Sequence, residues 1–320
     1  MLISGNTRSG SGSIGAGPLT YDARNNRIKG FAAYKLGSEG AVLKLKNEIK
    51  DAEGRHPASE RTTVRAMVSK KMLRELEIHP NGLGRVEAVV NIDNVDLDYA
   101  LVYFGRSKEM RKSPDEIVKE EKNSIKQIQK IKPTTREAAN QRLQNGGYGV
   151  RVVEDMNDEL VRELVSLYQR TYSQYTFELS EQTIREMNKG SNKMLVTFSE
   201  NGDVAGAMVA EHAKVRIEDT VLELYELSDY ATSRKHRGHG IMTAMQIEAI
   251  NILRKQDNGG QAVIYSENRA PWTPVSISSH KTGLMEYAGT LDKHCMIESD
   301  RNIAERGNFE NLHVFVANGW

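Results

Sequence analysis

The sequence predicts an α/β protein in an α+β arrangement, a large C-terminal domain preceded by a small α+β domain. Three observations predict it. Residues 225–255, YELSDYATSRKHRGHGIMTAMQIEAINILRK, run from a β-like stretch through a basic loop with Gly238 and Gly240 straight into an amphipathic helix. From residue 148 onward, alternation and helical periodicity succeed each other in the order β-α-α-β-β-β-α-β-α-β-β. Ahead of that, a shorter α+β pattern ends in a charged helical stretch. The chain therefore divides into a flexible N-terminus (1–12), a small α+β domain (13–107), a helical linker (108–147) and the larger domain (148–320).

The small domain opens on YDARNNRIKGFAAYKL, where Asn25-Asn26 favours a turn and Ile28, Phe31 and Tyr34 supply apolar positions after it. A helix is expected over 37–52, a strand over 62–68, a second helix over 69–77, and paired strands over 84–90 and 96–104. In the last of these Leu97, Tyr99, Leu101 and Tyr103 share one face. In the linker, Ser113-Pro114-Asp115-Glu116 reads as a capping-box start, and Ile117, Ile125 and Ile128 keep a narrow apolar stripe. Pro133 ends that helix, Thr134 with Glu137 starts another, and Gly146-Gly147 stops it.

In the larger domain a strand at 150–153 precedes a helix over 157–172 with Leu160, Leu164, Leu167 and Tyr168 on one face, then a shorter helix over 182–188. Strands follow at 194–198, 203–213 and 220–232, the second after the Asn201-Gly202 turn. After the glycine loop and its helix come a strand at 261–265, a helix at 275–282, and strands at 287–291 and 311–317.

The totals bound the function. With 44 basic and 43 acidic residues the net charge is +1, which gives no global field for nucleic acid or an anionic membrane, and neither is expected as a partner. The single cysteine, Cys295, excludes an internal disulfide framework and a cysteine zinc cluster, fits a reducing cytoplasm, and sits in no nucleophile pattern. No run approaches the roughly 18 apolar residues of a membrane span. The start MLISGNTRSGSGSIGAG lacks the apolar core of a secretory signal. A cytoplasmic protein is expected.

The chemistry concentrates in the loop of residues 235–241. Backbone N–H groups at a helix start lack intrahelical acceptors and sit at the positive end of the macrodipole, and glycine lets an anion come close. That predicts a nucleotide or coenzyme pyrophosphate site. His236 and His239 belong to its phosphate environment and not to a metal site, since no carboxylate or cysteine lies at ligand spacing.

The order of elements and the segment Arg237-Gly238-His239-Gly240-Ile241 resemble the GCN5-related N-acetyltransferase (GNAT) family, although Lys235 stands where that family carries Gln or Arg. Gly283, ending the late helix, also matches. A closer resemblance, to β-lysine N6-acetyltransferases, runs through GPLTYDARNNRIKGFAAYKL, GRVEAVVNIDNVDLDYALVYF, YQRTYSQYTFEL, YELSDYATSRKHRGHGIMTAM, IYSENRA and NFENLHVFV. Residues 272–280 (WTPVSISSH) and 293–307 (KHCMIESDRNIAERG) depart from that pattern.

The resemblance implies a GNAT fold with a mixed, mostly antiparallel central sheet flanked by helices. It also implies acetyl-CoA as acyl donor, no metal, and direct transfer to the amine of a small molecule, with the N6 amine of β-lysine first and another diamino acid, polyamine or amine metabolite as alternatives. Residues Ala231, Thr232, Arg237, Gly238, His239, Gly240 and Ile241 would hold the coenzyme. An amine of pKa about 10.4 must lose a proton before it attacks, so a carboxylate or ordered water must act as base. The candidates are Glu226, Asp229 and Glu267. Glu226 and Asp229 share a strand face only if a bulge intervenes. Where the family places a tyrosine to protonate the leaving thiolate, this chain has Ser279. Tyr287, His280 or solvent would then serve, or the protein binds acyl-CoA without turnover. Arg269 is placed to anchor an acceptor carboxylate or to form a salt bridge, and Tyr175 and Phe177, with Tyr172, to line the acceptor cleft or the core. For the N-terminal domain three roles stay open: completing the cleft, mediating homodimerisation, or covering apolar surface.

Overall fold

The structure is a computed structural model that describes residues 19–22, 25–78, 82–92, 98–108, 112–172, 178–256, 262–271, 273–296 and 309–317. The expected flexible stretch 1–12 lies outside them. The N-terminal half contains β1 (Thr20–Asp22), β2 (Arg27–Phe31), α1 (Glu39–Arg55), β3 (Arg61–Ser69), α2 (Lys70–Ile78), β4 (Arg85–Asn91) and β5 (Tyr99–Ser107). Asn26 takes the left-handed turn conformation at φ 44°, and the Asn25 amide donates to Asp22 Oδ1 at 3.3 Å, closing the β1–β2 hairpin. Ser38 caps α1, which buries Val42, Leu45, Ile49 and Ala52.

The linker holds α3 (Asp115–Ile128) and α4 (Arg136–Asn145). Ser113 does not cap α3, which starts after Pro114 without a side-chain cap; its hydroxyl donates to Asn311 Oδ1 at 2.9 Å. The cap of α4 is Thr135, one residue beyond the expected Thr134, whose amide donates to Lys281 O at 2.8 Å. These helices are more than a tether. Ile125, Ile128, Ala139 and Leu143 pack in one buried cluster with Ile247, Ile250 and Leu253 of the helix that follows the glycine loop.

The C-terminal half runs β6 (Tyr148–Val153), α5 (Asp158–Thr171), α6 (Glu181–Met187), β7 (Lys193–Ser199), β8 (Val204–Ile217), β9 (Thr220–Thr232), α7 (Ile241–Gln256), β10 (Ala262–Arg269), α8 (Thr273–Lys281), β11 (Met285–Met296) and β12 (Phe309–Ala317). Asn157 caps α5 through Leu160 N. Helices cover both faces: α7 and α4 pack on one, while Leu164 and Tyr168 of α5 and Ile184 of α6 meet Met194, Val196, Ala207 and Val209 on the other.

Among the described residues the strands form one twelve-stranded sheet in the order β1-β2-β3-β5-β4-β11-β12-β10-β9-β8-β7-β6. Only β2–β3 and β9–β10 pair in parallel, so the sheet is mixed and mostly antiparallel, as expected. The two expected domains therefore share a sheet. Their seam is the β4–β11 pairing at Ala88 and Gly289. Gly289 has φ 155°, and a Cβ there would lie 2.0 Å from the Glu87 carbonyl oxygen, so the strands meet this closely only because the side chain is absent.

Beyond the seam the sheet curls. Phe31, Met67, Leu101 and Tyr103 of the N-terminal half share a buried cluster with Val263, Tyr265, Leu312 and Val314 of the C-terminal half. Residues of β3 and β10 thus touch although β5, β4, β11 and β12 stand between them in the sheet order.

Candidate active site

The site is set by where two strands part. β9 and β10 pair from Glu223–Ala262 to Glu226–Tyr265 and no further. From there β10 continues against β12 and β9 against β8, so one edge of β9 between Leu227 and Thr232 has no strand partner among the described residues. Opposite Ala207 and Val209 the β8–β9 register shifts, and Asp229 and Tyr230 form the bulge, Asp229 with φ 53°. The bulge answers the parity problem: Asp229 comes close enough to Glu226 to raise its pKa. Two tyrosines of the α5 end hold the bulge, Tyr168 Oη donating to Asp229 O at 2.9 Å and Tyr172 Oη to Tyr230 O at 2.5 Å. Tyr230 itself crosses the gap and donates to Ser266 Oγ at 3.1 Å.

At one end of this gap lies the loop. Ser233 N donates to Ala205 O at 2.9 Å, a single 3-10 turn spans Arg234–His236, and α7 begins at Ile241. Gly238 takes φ 86°, with nothing within 4 Å of where a Cβ would stand. The left-handed conformation favours glycine there, and the open space beside it leaves room for an anion to approach the backbone. Tyr148 buttresses the loop from β6, its ring 5.5 Å from that of His236 and 5.3 Å from that of His239, with Oη 3.0 Å from His236 Nδ1. Burial, then Lys235, holds the His236 pKa below the ordinary value. Lys235 donates to Asp203 at 2.8 Å, and Arg237 Nε to Thr232 O at 3.4 Å. The arrangement fits a pyrophosphate-bearing coenzyme: an open, left-handed glycine stands before a helix start, and the buried Thr232 Oγ1 has no partner among the described residues.

At the other end carboxylates gather. Glu226 lies opposite Glu211 of β8 and Tyr265 of β10, and Tyr265 Oη donates to Glu226 Oε2 at 3.2 Å. Burial, then Glu267 and Glu211, push the Glu226 pKa up to about 8, against the pull of Arg65. Ser228 Oγ donates to Glu211 Oε1 at 2.7 Å. Glu267, two residues beyond Tyr265, pairs with Arg65 Nη2 at 2.8 Å, and His294 Nε2 lies 3.8 Å from its other oxygen. Burial, then Arg27, Arg61 and Arg65, keep the His294 pKa well below the usual histidine range.

Of the residues expected at the site, Glu226, Asp229 and Glu267 come together and the others divide. Arg269 is held within the protein: its Nε donates to both carboxylate oxygens of the buried Glu310, at 2.7 and 2.8 Å, which favours the salt bridge over the substrate anchor. Tyr287 is not brought to the gap. It lies on β11, with β12 and β10 between it and β9, its hydroxyl 2.6 Å from Thr290 Oγ1 and its ring against His313 and Phe315. Ser279 is fully buried and accepts from Gln246 Nε2 and Asn268 Nδ2, so it braces the core under α8. His280 Nε2 lies 2.9 Å from Ile131 O in the linker. Burial pushes the Cys295 thiol up to about 11, consistent with an inert side chain. Tyr175, Phe177, Trp272 and most of 293–307 lie outside the described residues. Sequence reasoning missed Arg65, Tyr265 and Tyr103; the available signal was an arginine between the buried Val64 and Ala66 of a strand.

Residues 135–266 match the family described as the acetyltransferase (GNAT) domain. The match takes in the loop, Glu226 and Asp229, and stops one residue before Glu267. Among solved structures the chain is similar to the ribosomal-protein-S18-alanine N-acetyltransferase from Escherichia coli, at 14% identity over 53% of this chain and 92% of that one, with TM-score 0.38. It is similar to spermidine N-acetyltransferase from Vibrio cholerae in complex with CoA and spermine at 11% identity, over 53% and 94%, with TM-score 0.40. A GNAT-family acetyltransferase from Streptococcus pneumoniae stands at 15%, over 53% and 98%, with TM-score 0.39. At these identities and scores the likeness says nothing of the acceptor. No curated protein sequence matches the chain.

Proposed function

We propose, from the premise that residues 135–266 form a GNAT acetyltransferase domain and the chain is an N-acetyltransferase, that its acceptor is a small cationic amine, with the N6 amine of β-lysine first. The observation that carries this is the convergence of Glu211, Glu226, Asp229 and Glu267 where β9 and β10 part. Four carboxylates in one cluster favour an acceptor that arrives as an ammonium ion. Acetyl-CoA supplies the acetyl group as a thioester.

The chain's own residues supply binding and proton transfer. The amides from Gly238 to Ile241, with Arg237 and His239, would hold the pyrophosphate, and Ala231 and Thr232, on the open β9 edge, would hold the rest of the coenzyme. Glu226 takes the ammonium proton, directly or through water. Its pKa of about 8 brings it nearer that of the amine than an ordinary carboxylate would be. Asp229 and Glu267 hold the cation.

A diamine or polyamine without a carboxylate is the second reading, and the Arg269–Glu310 pair favours it, because the anchor that β-lysine would use is engaged within the protein. The test is thermal shift with acetyl-CoA followed by thiol release on β-lysine, lysine, ornithine, putrescine and spermidine. Turnover on β-lysine supports the first reading; turnover on spermidine without β-lysine transfers it to the second. Stabilisation by acetyl-CoA with no turnover on any of the panel overturns both.

A further inference from the structure

The N-terminal half sends a charged side chain into the carboxylate cluster. Arg65, in the middle of β3, donates through Nη2 to Glu267 Oε1 at 2.8 Å and through Nη1 to Tyr265 Oη at 3.4 Å. The same Tyr265 hydroxyl donates to Glu226 at 3.2 Å. The guanidinium carbon lies 5.0 Å from the Phe31 ring centre and 4.9 Å from that of Tyr103, so aromatic faces flank the cation. Arg65 thus reaches Glu267 directly and Glu226 through a phenol. Two neighbouring carboxylates are given unequal partners.

We propose that Arg65 is a positioning residue of the transfer site: by pairing with Glu267 it fixes that carboxylate in place, and leaves Glu226, oriented by Tyr265, to exchange the proton of the acceptor amine. The N-terminal half is then part of the catalytic unit. This deepens the reading above and rests on Glu226 as the proton acceptor.

The groups facing Glu226 define the expected signs. They are Asp229 on its own strand, Glu211 from β8, Tyr265 and Glu267 from β10, Tyr103 from β5 and Arg65 from β3. His294 from β11 stands behind Glu267, and Tyr172 stands near both Asp229 and Arg269. Burial and the carboxylates oppose the charged form of Glu226, and Arg65 favours it. Removing Arg65 must therefore move the Glu226 titration to higher pH. Removing the charge of Glu267 must move it lower, since Glu226 loses a repelling neighbour and Arg65 loses its competing partner. A packing role for Arg65 predicts neither.

The test uses the full chain with 13C-labelled glutamate carboxyls, the Glu226 signal being assigned by its loss in Glu226→Gln. In Arg65→Met the midpoint is expected to rise by about one unit or more, in Glu267→Gln to fall, and in Arg65→Lys to move partway upward. Midpoints unchanged in both Arg65→Met and Glu267→Gln overturn the proposal. If Arg65→Met does not fold, Arg65→Lys and Glu267→Gln decide by the same signs. The readout needs no turnover, so failure of every amine in the panel would sink the acceptor reading without touching these midpoints. With an active acceptor, the acid limb of kcat/KM is expected to follow the midpoint. A limb that stays fixed while the midpoint moves overturns the assignment of the proton transfer to Glu226.

Discussion

The donor loop and the carboxylate cleft flank the same stretch of β9, and they are built by opposite means. The loop is one contiguous run whose essential features are backbone ones: two glycines at φ 86° and 80° and a helix start. The cleft is made of side chains from β3, β5, β8, β9 and β10, and one of its ion pairs joins residues 202 apart in sequence. A backbone cradle tolerates side-chain change and fails on conformational change. A buried charge cluster does the reverse, because the raised pKa of Glu226 depends on the charges its neighbours carry.

Substitutions that strike one region and spare the other test this division. The largest effect is expected from Glu226→Gln: kcat/KM falls about 10²- to 10⁴-fold, while acetyl-CoA affinity measured by calorimetry stays that of the parent. A matching loss of coenzyme affinity would merge the two regions into one. Next is Arg61→Ala. Arg61 and Glu87 form a fully buried ion pair beside the seam, and Glu87 Oε1 also accepts from Asp292 N of β11 at 3.4 Å. Of its charged partners Glu87 then keeps only the longer contact to Arg85 Nε at 3.5 Å among the described residues, and the chain should lose about 3 kcal/mol in urea titration. Full stability would mean that the N-terminal half is not locked in by this pair.

Smaller effects sharpen the contrast. Gly238→Val forces a branched residue to φ 86°, a strain of about 1–3 kcal/mol, so acetyl-CoA binding should weaken roughly 10- to 100-fold with the pH profile of turnover unchanged. A shifted profile would couple loop to cleft. The smallest effect concerns stability. Glu226 is raised from 4.5 to about 8 in the folded state, so between those values the folded chain keeps a proton that the unfolded chain has released. Stability therefore falls as pH rises through that window. Glu226→Gln should flatten this loss, raising Tm by a few degrees at pH 8.5 and leaving it unchanged below 4.5. An identical slope in the variant would place the titration elsewhere.

What the sequence disclosed follows the same division. The loop was legible because its determinants are adjacent: glycines, a preceding strand and a following amphipathic helix. Glu226 and Asp229 were legible as candidates because strand parity posed a question that a bulge could answer, and Asp229 at φ 53° answers it. Arg65 was not legible, since its partners are chosen by the curl that brings β3 to β10 across the strands between them. Arg269 and Tyr287 show the converse limit. Both occupy plausible positions in sequence, and tertiary partners, Glu310 and Thr290, take them up. The linker helices misled for a simpler reason: their charged faces are long, and the few apolar residues that dock them on α7 are sparse in the pattern.

The seam at Gly289 also bears on how the chain comes to be made. β4 leaves the ribosome nearly two hundred residues ahead of β11, so its outer edge waits that long for its partner. Until then the N-terminal half has an open strand edge and an unpaired arginine, the condition in which β-rich intermediates associate. The cluster cannot form before Glu267 of β10 has been made. A nascent chain of this protein therefore makes its donor loop before the last carboxylate of the cluster, and that carboxylate meets an arginine made 202 residues earlier.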